Sequence, residues 1–269
     1  MDLTAVPSPG LGTMGFETSD ACIEGVRTAV ELGYRHVDTA QKYGTEAAVC
    51  AGIEAATVPR GDLTIATKIE ETNLAYDDVL ETARESLERL GLESVDLLYV
   101  HWPGVTYDPE ETLPAFDRLV DDGVADAIGV ANFSPDLLAE ARDVLEAPIV
   151  AHQVEMHPLL QQERLHAYAL EHDTTLVAYC PLIRGKAFDT PELLEIADDT
   201  GHSVVELCLG WLASKEGVVP IPKATGERHL RENYAAATEP LPPSVLERLD
   251  AIDREHRVVD PPEKAPWNR

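Results

Sequence analysis

Basic side chains are scarce in this chain: 21 lysines and arginines face 49 aspartates and glutamates, a formal net charge of −28. That deficit argues against DNA, RNA or an anionic membrane as partner, because polyanions are repelled rather than steered in. Long apolar runs are missing too. No stretch approaches the roughly 18 residues of a membrane helix, and Met1-Asp2-Leu3 lacks the basic start of a signal peptide. A soluble, cytoplasmic protein is expected. Cysteine is sparse: Cys22, Cys50, Cys180 and Cys208 stand far apart with no CxxC spacing, which argues against a disulfide framework or a zinc knuckle and leaves reduced thiols.

What is present is enough apolar material for a sizeable core, 44% of 269 residues, in a length that fits one large α/β domain. Carboxylates crowd the helical faces, as in Asp77, Asp78, Glu81, Glu85 and Glu88. Such a surface repels itself in dilute buffer and is relieved by screening, so adaptation to a cytosol of high salt is expected.

Apolar runs of strand length alternate with longer stretches of helical period, the pattern of repeated βα units around a parallel sheet. The strand candidates are Gly10 to Thr13, Arg35 to Thr39, Leu63 to Lys68, Val95 to His101, Ala127 to Ala131, Ile149 to Glu155, Thr174 to Tyr179 and Val218 to Pro222. Helical patterns cover Asp20 to Leu32, Glu46 to Ala56, Asp77 to Leu90, Leu113 to Asp121, Pro135 to Leu145 and Glu163 to Glu171. Ser19-Asp20 and Ser134-Pro135 read as helix caps. Eight strands each feeding a helix predict a (β/α)8 TIM barrel in a single domain over residues 1–269. Extra helices are expected among Pro191 to Asp198, Ser203 to Ser214, Glu227 to Ala237 and Ser244 to Glu255. The C-terminal tail Val258 to Arg269, with three prolines and Trp267, is expected to run extended, with a barrel end as its natural seat.

Active sites of such barrels gather at the carboxyl ends of the strands. There the sequence puts Asp38, Tyr43, Lys68, His101, Asn132, Gln153, Tyr179 and Lys223. Singly, each has an ordinary structural explanation: a helix cap, a snorkelling lysine, a hydrogen-bonded core histidine. Together they make chemical sense. A lysine in a barrel mouth needs a counter-charge, which Asp38 supplies. A buried ammonium beside a phenol is expected to lower the pKa of Tyr43 from about 10 and make it a general acid.

The segments carrying these residues resemble the signature stretches of the aldo-keto reductase family: Val37-Asp38-Thr39-Ala40-Gln41-Lys42-Tyr43-Gly44, Ala66-Thr67-Lys68-Ile69 and Leu97-Leu98-Tyr99-Val100-His101-Trp102-Pro103. The likeness continues through Ile128-Gly129-Val130-Ala131-Asn132-Phe133, Gln153-Val154-Glu155, Ala178-Tyr179-Cys180-Pro181-Leu182 and Ile221-Pro222-Lys223-Ala224, nearly the whole chain. The compact length is similar to the small prokaryotic members of the diketogluconate reductase type.

The resemblance implies a metal-free reduction of aldehydes or ketones with NADPH, with NADH as the other possible donor. Tyr43 would protonate the carbonyl oxygen, Lys68 and Asp38 would set its acidity, and His101 would hold the carbonyl. It also implies that Asn132 and Gln153 meet the nicotinamide carboxamide and that Tyr179 stacks on the ring. Gly12, Thr13 and Met14 would line the same pocket, with Cys180 and Leu182 along the pyrophosphate. Lys223, Arg228 and His229 would lie toward the adenosine 2′-phosphate, and Glu232 and Asn233 near the adenine. Met14, Tyr43, His101 and Trp102 would wall the substrate. Several residues depart from the family pattern: Ala131 and Cys180 replace serines, His152 an asparagine, and His229 an arginine. Gly10-Leu11-Gly12 is too weak a signal for a Rossmann site. Two other readings compete. A metal-dependent hydrolase would draw on His36, Asp38, His101, His152 and His157, but no HxH pair is present. A non-catalytic, nicotinamide-sensing partner protein would keep the same fold. A small carbonyl compound is the expected partner, and a monomer the expected state.

Overall fold

The computed structural model describes residues 6–261 and 265–266. Eight parallel strands form one sheet in chain order: β1 (Gly10–Gly12), β2 (His36–Asp38), β3 (Thr64–Ile69), β4 (Leu97–Val100), β5 (Ile128–Ala131), β6 (Ile149–Glu155), β7 (Thr175–Tyr179) and β8 (Val218–Pro220). The seam between first and last is bridged where Gly12 N–H donates to Pro222 O at 3.2 Å. A side chain at Gly12 would put its Cβ 2.8 Å from Ile221 O, so only glycine lets the seam close. Sequence reading placed every strand to within a few residues. The runs are almost wholly buried and largely apolar, as parallel strands covered on both faces must be.

Around the barrel run α1 (Ser19–Leu32), α2 (Glu46–Glu54), α3 (Tyr76–Leu90), α4 (Pro109–Asp121), α5 (Pro135–Val144), α6 (Glu163–Glu171), α7 (Pro191–Thr200), α8 (Val204–Ala213), α9 (Glu227–Thr238) and α10 (Pro243–Asp250). The helix α8 is apolar on nearly every face, with Val204 and Leu207 to Leu212 buried. It is covered in turn by the helices beside it, which is why the chain carries more than one helix after β7 and after β8.

Several helix boundaries differ from the sequence reading, three of them for a visible reason. The cap of α1 is Thr18, whose backbone is extended and whose side-chain oxygen accepts Ala21 N–H, while Ser19 already belongs to the helix. The α4 helix starts a turn earlier than its apolar period shows, because Asp108 caps a polar first turn opened by Pro109. The α10 helix stops at Asp250, short of Glu255. The Gln161 side-chain amide lies 3.1 Å from Leu249 O and 3.2 Å from Ile252 O, and these contacts hold the chain as it leaves the helix. Trp267 lies outside the described residues. The sequence itself spells a full Gly-x-Gly-x-x-Gly over Gly10 to Gly15, which corrects the reading of Gly10-Leu11-Gly12 alone. The following helix begins only at Ser19, so no helix N-terminus abuts the last glycine as a dinucleotide fingerprint requires.

Candidate active site

Local structure sets the reacting groups. Asp38 ends β2, and the chain turns at once through a short 3₁₀ turn, Gln41–Tyr43, closed by Gly44 in the left-handed region. Gln41 fastens that turn from outside: its side chain donates to Thr82 O at 3.0 Å and accepts from Glu70 N–H at 2.9 Å. Tyr43 is thereby aimed inward. Lys68 rises from β3 fully buried, and its ammonium donates to Asp38 Oδ1 at 2.5 Å, Thr39 O at 2.7 Å and Tyr43 Oη at 3.4 Å. The second oxygen of Asp38 accepts from the Gln153 side-chain amide at 2.7 Å. The His101 ring meets the Tyr43 ring edge-on, with centroids 5.7 Å apart. The four proposed catalytic groups therefore converge.

Their electrostatics differ from the sequence expectation in one respect. The Tyr43 phenol is not made more acidic than usual. Burial first, then the Asp38 carboxylate and the nearby Cys180 thiol, push its pKa well above 10. The Lys68 ammonium meets the phenol at 3.4 Å but Asp38 at 2.5 Å, so the carboxylate is its nearer partner. Burial lowers the lysine's own pKa, with Asp38 opposing. Across the neutral range Tyr43 is a protonated donor.

A cavity of about 390 Å³ opens over these groups. Its lining includes Gly12, Thr13, Met14, Asp38, Tyr43, His101, Trp102, Asn132, Gln153, Tyr179, Cys180, Leu182 and Lys223, all singled out from the sequence. Asn132, at a φ of +65° that asparagine tolerates better than most residues, donates to His101 O at 3.0 Å and accepts from Tyr179 Oη at 2.7 Å. Each side of its amide keeps one more hydrogen-bonding position. A phenol ring beside two amides suits a flat ring bearing a carboxamide. Lys223 and Arg184 also line the cavity, neither paired with a carboxylate among the described residues, which suits phosphate.

Arg228, His229, Glu232 and Asn233 are not brought into this cavity. They lie on α9, where Arg228 pairs with Glu232 at 2.7 Å and Asn233 is buried. Among the lining residues outside the sequence-based site are Arg184, Phe188 and Val259. Arg184 follows β7 in a run where Cys180, Ile183 and Arg184 all take positive φ. Phe188 and Val259 line the cavity as well, and neither belongs to a recognisable motif. Among the described residues no group of three or more His, Cys, Asp or Glu is placed to hold a metal ion. His36 and His152 are buried side chains on separate strands.

The sequence profile of the Aldo/keto reductase family matches residues 10–254. The methylglyoxal reductase DkgB of Escherichia coli O157:H7 is 35% identical over 268 residues, covering 98% of this chain and 100% of that one. Among solved structures, a putative 2,5-diketo-D-gluconic acid reductase B superposes with a TM-score of 0.92 at 32% identity, over 98% of this chain and 94% of the other. An aldo-keto reductase of Bombyx mori, solved in complex with NADP, gives a TM-score of 0.86 at 29% identity over 96% and 92%.

Proposed function

The chain belongs to the aldo/keto reductase family, and from that premise we propose that it reduces small aldehydes and ketones, 2-oxoaldehydes among them, with NADPH as hydride donor. The observation that carries this reading is the buried chain of Asp38, Lys68 and Tyr43 ending beneath a cavity that also holds His101. Tyr179, Asn132 and Gln153 would hold the nicotinamide end, Gly12 to Met14 with Cys180 and Leu182 the middle, and Lys223 with Arg184 the phosphates. Arg228, His229, Glu232 and Asn233 would meet the adenosine portion where it leaves the cavity. Bound there, the reduced dinucleotide supplies the hydride for the carbonyl carbon.

The protein's own part is to place and proton-load the substrate. His101 donates to the carbonyl oxygen and fixes its direction. Tyr43 holds its proton through the neutral range and gives it to the same oxygen as negative charge develops there, where a positioned donor lowers the barrier most. As the phenol becomes phenolate, the Lys68 ammonium gains an anionic partner at its third hydrogen-bonding position. Asp38 and Thr39 O keep the ammonium from swinging away. Trp102, Met14 and Phe188 give the cavity an apolar wall. The four cysteines are free thiols, which suits a reducing, cytoplasmic setting for a monomer. Among the described residues no helix is long and apolar enough to cross a membrane. The acidic surface supports adaptation to high salt.

The test is NADPH oxidation over a panel of carbonyls, with Tyr43→Phe beside the parent. A fall in kcat of at least about a hundredfold is expected, the lower end for removing a positioned acid. Equal turnover by both proteins would overturn the assignment of the acid.

A further inference from the structure

The run that leaves α10 is seated on the loop after β6 by a series of polar contacts. His256 N–H donates to Leu159 O at 2.7 Å. Two residues on, Val258 N–H donates to Glu155 Oε1 at 2.7 Å and Val259 N–H to Glu155 Oε2 at 2.8 Å. Glu155, the last residue of β6, is fully buried, and its Oε1 also faces His157 Nε2 at 3.0 Å. The Gln162 side chain donates to the Glu155 carbonyl at 2.8 Å, which fixes the residue from its backbone side.

This seat is a partition. On one side Val259 lines the cavity that holds Tyr43 and His101. On the other lies a hollow of about 560 Å³ lined by Glu155, Arg257, Leu159 and the run 160–165 that leads into α6. The strap has no regular secondary structure, so its position rests on the packing of Val258 against the core, on the His256 contact and on the fork of two successive N–H groups onto one carboxylate. A buried carboxylate is costly to desolvate unless its donors are in place, and the strap's N–H groups are costly to leave unpaired, so each holds the other.

Resting on the reductase reading above, we propose that Glu155 is a positioning residue for substrate selection: its carboxylate latches the C-terminal strap so that Val259 walls the cavity, and the protein thereby favours small carbonyls over bulky ones. Glu155 does not touch the substrate. It acts through the strap, and the wall it sets is a valine side chain whose loss would widen the site.

The test combines amide hydrogen exchange on the full-length protein with kcat and KM for methylglyoxal and for 2-naphthaldehyde. In the parent, Val258 and Val259 amides are expected to exchange far more slowly than an irregular segment would. In Glu155→Gln one accepting oxygen becomes a donor facing a donor, and both amides should exchange at least about a hundredfold faster. The kcat/KM ratio of the bulky to the small aldehyde should rise by about tenfold, mostly through KM, and Val259→Ala should move it the same way. Unprotected amides in the parent, or unchanged exchange in Glu155→Gln, would overturn the latch. A ratio unmoved in Val259→Ala would overturn the wall, and that result holds even where Glu155→Gln does not fold. Failure of the parent to reduce any carbonyl would instead sink the reductase reading, while the exchange data would still judge the latch.

Discussion

Lys68 and Asp38 are both withdrawn from water, with side-chain exposures of 0% and 2%. Each can stay there because the other is 2.5 Å away and because Thr39 O and Gln153 fill their remaining positions. Removing one partner strands the other. Lys68→Met is therefore expected to cost about 3–5 kcal/mol of stability, and adding Asp38→Asn should restore most of it by removing the stranded charge. Activity should stay low in both variants, because the phenolate then lacks its ammonium. Urea midpoints read beside turnover check this, and a double variant as unstable as the single one would contradict it. The same residue-scale logic explains why Tyr43 is protonated: a low-dielectric site disfavours the phenolate whatever charge stands nearby, and Asp38 adds to that effect.

At the scale of elements, α1, α4, α5 and α8 start where a side-chain oxygen takes up an orphaned N–H. Ser134 accepts from Leu137 N–H at the head of α5, directly after Asn132 and Phe133. Ser203 and Glu206 form a reciprocal capping box on α8, with Glu206 held below the usual carboxylate range by its hydrogen bonds to Ser203. The α1 cap distinguishes two adjacent hydroxyls. Thr18→Ala should lower stability by about 1 kcal/mol, whereas Ser19→Ala, already inside the helix, should change it little. Thermal midpoints of the two variants measured side by side decide between them. The β strands offer no comparable end signal, because their limits are set by the barrel closing around residues such as Gly129, where a Cβ would lie 2.4 Å from the Tyr99 ring.

On the scale of the whole molecule, two bulk properties follow from burial and charge. His36 and His152 are fully buried, and burial lowers their pKa values from 6.5 to about 4 and about 3. Neither ring nitrogen of His36 finds a hydrogen-bond partner among the described residues. The unfolded chain takes up these protons near pH 6.5 while the folded chain keeps them off. Stability is therefore complete above that value and is lost as the pH falls from 6.5 toward 4, at up to about 1.4 kcal/mol per pH unit for each ring. At constant salt the urea midpoint should be lower at about pH 5.5 than at about pH 7.5, and equal midpoints would rule this out. The second property is the net charge of −28. Even where an arginine serves two carboxylates, as Arg27 does with Glu24 and Glu31, acidic groups outnumber their partners. Molar potassium chloride should raise the thermal midpoint relative to dilute buffer, and a midpoint indifferent to salt would count against salt adaptation.

The alternation of buried apolar runs with amphipathic stretches was enough to set eight strands in order around a barrel, because that pattern is written locally, residue against near neighbour. The positions of Asp38, Lys68 and His101 at or just beyond strand ends, and of Tyr43 in the turn after β2, followed from the same register. What took the tertiary structure was everything that depends on distant segments meeting. Gln153 reaches Asp38 across 115 residues of chain, and Val259 reaches Glu155 across 104. The direction of the Tyr43 pKa depends on how much water the closed barrel removes. Local sequence carries propensity and period, but desolvation and long-range pairing exist only once the chain has closed on itself.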